Sequence, residues 1–196
     1  TVQQGILFRL NKEKECDYFI DYVGDSNLTI LSQRFYLAFA RAFFITSYFE
    51  PKDGILNQVI YSGSLRYFKN IQLQTKIGEL SVAIASVRLR NGREFNYFDD
   101  PIKHLLLEHF DYKWFDEYIH NGQTPSADLM SIVNPFPPKK PVIVNLVEFK
   151  KQEAGNIAYH NKIMIRSSRL NMYTNYATTN HQLLEILRKE YHIENE

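Results

Sequence analysis

The chain has one cysteine, Cys16. That excludes an internal disulfide and a cysteine-based zinc cluster, and it fits a reducing compartment, so a cytoplasmic protein is expected. No sign of charge is in excess: Lys and Arg number 23 against 22 Asp and Glu, a formal net charge of +1. Such a balance gives no support to nucleic-acid or anionic-membrane binding as the main activity. Glycine and proline are few, 8 and 7, and low-complexity tracts are absent, which argues against long disorder. No apolar run approaches the length of a membrane span, so no membrane partner is expected.

Aromatic side chains are abundant: 13 Tyr and 14 Phe in a chain of 196 residues that is 44% hydrophobic. One good core with an appended element is affordable at this length. Packing in that core and at subunit interfaces explains the rings with fewer assumptions than base stacking.

Along the chain, Ile6, Phe8 and Leu10 alternate with Leu7 and Arg9, and residues 18–23 can return as a partner strand. Gly24 to Asn27 supply a break and a cap. Leu28, Leu31, Phe35, Ala38, Phe39 and Ala42 then recur at helical spacing. Near residue 41 the aromatic, β-favouring residues 43–49 predict a switch to strand. Pro51 to Gly54 read as a turn, residues 55–61 as strand, and Tyr61 to Ser64 as a break.

Residues 66–77 and 80–90 then predict two long antiparallel strands around Gly78-Glu79, with Asn91-Gly92 as a further hairpin turn. Pro101 fits the first turn of a helix over residues 102–118. After the proline-rich residues 134–141, residues 142–150 and 157–166 predict a hairpin, and residues 179–191 an amphipathic terminal helix. The expected class is α+β, an antiparallel sheet with helices on one face. Residues 1–40 form a hairpin-helix extension and residues 41–196 the main domain.

Several landmarks stand in a distinctive order. Asn96-Tyr97 follow the Asn91-Gly92 turn. Phe110-Asp111-Tyr112 precede Trp114-Phe115-Asp116, and Pro125-Ser126-Ala127-Asp128 begins fourteen residues after Asp111. Glu148 ends the apolar residues 142–147. Phe44 stands four residues before Tyr48, and Ser62-Gly63-Ser64 begins fourteen residues after Tyr48.

In these landmarks residues 44–159 resemble the 6-pyruvoyltetrahydropterin synthase family, with its relative 6-carboxytetrahydropterin synthase. The resemblance implies a tunnelling fold, assembled through its strands into a homo-oligomeric ring. It also implies that Glu148 grips a pterin ring and that Asp111 and Glu148 belong to the catalytic machinery. The family's three zinc histidines correspond to Tyr48, Ser62 and Ser64, and its catalytic histidine to Tyr112. Hydroxyls are poor zinc ligands, so no metal and no cofactor are expected, and catalysis is left open. Tyr48, Ser62, Ser64 and Glu148 remain as ligand-binding candidates for a pterin- or purine-like ring. The plain alternatives are a solvated Glu148 on an edge strand and an exposed helical Asp111.

The expected function is thus a divergent, zinc-free pterin-synthase-like protein that binds such a ring or acts as a non-catalytic assembly protein. An alternative uses Asp128, Glu148 and Lys150, whose spacing suits a PD-(D/E)xK nuclease in which two carboxylates hold a divalent cation. Nucleic acid is a partner under that alternative alone. His104 and His109, five apart, lack the spacing of a helical ligand pair and read as solvated or satisfied histidines.

Overall fold

A computed structural model describes residues 1–25, 33–44, 46–110, 112–113 and 151–192. Of these, 89% are helical and none forms a strand. The expected α+β, tunnelling-fold architecture is therefore corrected to an all-α one. In chain order the elements are α1 (Val2–Asp25), α2 (Gln33–Phe39) running on into a π-helical turn (Ala40–Phe44), α3 (Gly54–Tyr61) and a 3₁₀ turn (Ser64–Tyr67). Then come α4 (Ile71–Tyr97), a π turn (Phe98–Ile102) and α5 (Lys103–His109). Last are α6 (Lys151–Ser167), a π turn (Ser168–Tyr173) and α7 (Thr174–Tyr191).

Most of the expected strands that fall on described residues are helical, and for the same reason. The N-terminal hairpin is α1, whose buried positions, Glu13 and Glu15 apart, are Gly5, Arg9, Lys12, Cys16, Phe19 and Val23. Steps of three and four mark a helix face, while Leu7 is 59% exposed. Thr1 caps the helix: its Oγ1 accepts from the Gln4 N–H at 3.3 Å, and the Gln4 side chain reaches back to the Thr1 amine. Residues 55–61 are α3. Residues 71–77, Gly78-Glu79, 80–90 and Asn91-Gly92 all lie within α4, which buries Leu73, Ile77, Leu80, Ile84 and Val87. Residues 157–166 belong to α6, which buries Ala154, Ala158, Asn161 and Ile165.

Other expectations hold. Phe35, Ala38, Phe39 and Ala42 are all buried on α2 and its π turn. The terminal helix is present as α7, starting at Thr174. The break after residue 61 is a helix stop in which Gly63 takes a left-handed φ of 71° that a side chain would strain. The expected strand over 43–49 is absent: the π turn reaches Phe44, and residues 46–53 have no regular structure.

The chain packs as two compact units. The first comprises Thr1–Ile6, Tyr48–Arg93 and Ser167–Glu196. Its core joins Leu73, Ile77, Leu80 and Ile84 of α4 to Leu183 of α7, with Leu56, Ile60, Leu65 and Phe68 packed against them. Tyr173 ties the segment before α3 in place: its hydroxyl donates to Asn91 Oδ1 at 2.8 Å and accepts from the Phe49 N–H at 3.2 Å. Arg88 clamps the same segment through Glu50 and Asp53, both at 2.6 Å. This guanidinium holds the Asp53 carboxyl below its ordinary range.

The second unit comprises Leu7–Ser47 and Glu94–Arg166. Its core is aromatic. Phe19 stacks on Phe35 at 5.4 Å and meets Phe43 edge-on at 4.9 Å, and Phe39 stacks on Phe110 at 5.8 Å. Ile102, Leu105 and Leu106 of α5 and its π turn complete it with Ala154 and Ala158 of α6. Buried Asn161 donates to the Ala42 carbonyl at 2.9 Å, satisfying a carbonyl of the π turn.

Candidate functional site

Of the residues marked by the sequence, Asp111, Asp128, Glu148 and Lys150 lie outside the described residues. Ser62 and Ser64 come together at the end of α3, their hydroxyls 2.6 Å apart, on an exposed turn. Tyr48 is half-buried in the irregular segment before α3.

Within the second unit, a cavity of about 410 Å³ is lined by Asp100, Pro101, His104, Leu105, Glu108, His109, Glu153 and Ile157. Pro101 lies in the π turn that forms one wall. Proline has no N–H, and its ring collides with the carbonyl four residues back. The helix widens there instead of breaking: the Lys103 N–H bonds back to the Phe98 carbonyl, a five-residue π step. Tyr97 on one side and Lys103 on the other keep α-helical backbone angles, so Pro101 sits inside a continuous helix and not at the start of a new one. Buried Ile102, Leu105 and Leu106 anchor this stretch.

The opposing wall is the start of α6. Glu153 lies in its first turn, where a carboxylate suits the helix dipole. The wall is fastened by Tyr97, whose hydroxyl donates to the Ile157 carbonyl at 3.2 Å and whose ring lies 4.4 Å from His160. Burial, more than the neighbouring Cys16, pushes the Tyr97 phenol up to about 12. Glu108 is the hub of the cavity: His104 Nε2 stands 3.1 Å from one of its oxygens and His109 Nε2 3.6 Å from the other. His109 is buried, at 5% exposure.

Three carboxylates and two imidazoles thus face one space with an apolar floor of Pro101, Leu105 and Ile157. Among the described residues no group of three or more His, Cys, Asp or Glu side chains is arranged to hold a metal ion. The walls offer acceptors to a ligand with N–H donors. The i, i+4 spacing of His104 and Glu108 and the Asp99-Asp100-Pro101 run carried a signal in the sequence. Five-residue spacing hid the pairing of His104 with His109, because Glu108 bridges them. Glu153, far along the chain, could not be assigned to the same space.

Further toward the N-terminus, α1 brings a second charged group into the same unit. Arg9 donates to Glu94 at 2.8 Å and to the Ser47 carbonyl at 3.3 Å. Lys12 beside them is lowered by burial to about 8, and Cys16, one turn on, is pushed up by burial to about 12. A thiol so reluctant to ionise is no nucleophile near neutral pH.

No helix of the described residues is long and apolar enough to cross a membrane. No family model, no curated protein and no solved structure matches the chain.

Proposed function

We propose that the chain is a helical binding protein whose ligand presents N–H donors to the carboxylates of the π-turn cavity. A protonated amine and the amidine-like edge of a pterin or purine ring share that chemistry. The carrying observation is the cavity itself: Asp100, Glu108 and Glu153 line about 410 Å³ together with Leu105 and Ile157. Volumes of roughly 300–1,000 Å³ with an apolar floor and a few convergent polar groups suit small molecules. Carboxylates accept in pairs from parallel N–H groups, so the ring-recognition chemistry first expected of Glu148 is supported here by other residues. No observation on the described residues favours the nuclease reading. A reducing compartment such as the cytoplasm suits the single buried thiol.

Titration calorimetry with neopterin, guanine and spermidine tests the reading. At least one is expected to bind with Kd below about 1 mM. The Glu108→Gln, Glu153→Gln double variant, altering exposed side chains, is expected to keep its unfolding midpoint and lose affinity at least about tenfold. Absence of binding by all three, or equal binding by the variant, overturns it.

A further inference from the structure

The outward face of α4 carries a second stripe that its own unit leaves uncovered. Ile71, Gly78, Val82, Ala85, Leu89 and Gly92 recur by threes, fours and sevens, two residues behind the buried stripe and so about 200° around the helix. Ile71 is 75% exposed, Val82 67% and Leu89 61%. A repeat of this kind is the seam along which helices pair. Gly78 and Gly92 have nothing within 4 Å of a side chain built on them. Packing within the chain thus gives no reason for two residues that weaken a helix, whereas close approach of a second backbone does.

We propose that α4 is the contact helix of a homodimer in which two copies pair antiparallel, crossing at Ala85-Ser86. Charge selects both the partner and its direction. Glu79 and Arg93 flank the seam on one edge, each seven residues from Ser86. Antiparallel pairing sets Glu79 against Arg93 of the second copy, twice, whereas parallel pairing sets like against like. The Ser86 hydroxyl at the centre is satisfied within the helix by the Val82 carbonyl at 2.9 Å. On the opposite edge Arg88 is held by Glu50 and Asp53 and does not intrude. Near Glu79 the stripe borders a groove of about 550 Å³, whose far wall on α7 includes Glu185. Lys76 and Lys189 line the same groove and Lys76 already pairs with Glu79, so the incoming Arg93 competes with Lys76 for that carboxylate, with Glu185 as a second acceptor.

Sedimentation equilibrium of the full chain tests the pairing, with far-UV circular dichroism confirming that each variant stays helical. The wild type is expected to dimerise. Glu79→Arg and Arg93→Glu singly are each expected to weaken the dimer by about tenfold or more, through repulsion at both symmetric contacts. The double variant is expected to restore it to within about threefold. Fourteen residues separate the two positions, about 21 Å along one helix, so restoration can arise only between copies. Ala85→Arg, which brings two like charges to the crossing, is expected to abolish the dimer. A monomer up to about 1 mM, a dimer indifferent to single reversal, or a double variant as weak as the singles overturns the proposal. None of these outcomes touches ligand binding in the cavity, which belongs to the other unit.

Discussion

Arg9 is 1% exposed and pairs with Glu94, itself only 10% exposed, at 2.8 Å. Forming such a pair costs desolvation that its attraction barely offsets, but removing one member strands a buried charge, at about 3–5 kcal/mol. Glu94→Gln is therefore expected to destabilise the fold by about 3 kcal/mol in urea unfolding. An Arg9→Met, Glu94→Leu double variant is expected to fall near the wild type, since both charges leave together. A single variant with an unchanged midpoint would mean that Arg9 is not committed to Glu94. The same residues explain why α1 went unread as a helix. Its inward stripe passes through Gly5, Arg9 and Lys12, so an apolar count at helical period misses the first three turns, while Ile6, Phe8 and Leu10 imitate a strand.

Among the elements, the helix through Pro101 carries the most instructive irregularity. A proline costs about 3 kcal/mol inside a regular helix relative to alanine, and the wider π turn offsets part of that by moving the obstructed carbonyl aside. Pro101→Ala is expected to raise stability by about 1–2 kcal/mol in thermal unfolding. It should also weaken ligand binding in the cavity, because a regular turn redirects His104 and Glu108. A loss of stability would mean that Ile102 and its neighbours pack only on the widened form. The long strands expected over 66–90 failed for a related reason. Ile71, Leu73 and Thr75 satisfy a two-residue period, and Leu73, Ile77, Leu80, Ile84 and Val87 satisfy a helical one; only the second continues for the length of α4. Over Phe35, Ala38, Phe39 and Ala42 the helical period was legible, and all four are buried.

At the scale of the whole molecule, buried ionisable groups set how stability follows pH. Lys12 loses its proton near pH 8 when folded, against an ordinary 10.5. Between those values the unfolded chain holds the extra proton, so stability rises with pH by up to about 1.4 kcal/mol per unit. Cys16 acts oppositely: folded, it keeps its proton to about 12 against an ordinary 9.0, so stability falls across that window. Tyr97, raised from 10.0 to about 12, adds to the fall. Thermal unfolding is therefore expected to show stability rising from about pH 8 to 9, level to about 10, and falling beyond. Lys12→Met is expected to abolish the rise and keep the fall. A wild-type curve flat between pH 8 and 9 would mean that water reaches Lys12.

The cavity was half legible. His104 and Glu108 share a helix, and their pairing follows from spacing alone. Glu153 joins them only because α6 packs beside α5, and its place in the sequence carries no trace of that. What the amino-acid order determined unaided was the balance of charge, the lone thiol, the aromatic supply of the core, and the helices over Phe35 to Ala42 and at the C-terminal end. Tertiary structure decided that Arg9, Lys12 and Asn161 also turn inward. A charge or amide can leave water only when a distant group arrives to meet it, and Glu94 stands 85 residues from Arg9, the Ala42 carbonyl 119 from Asn161.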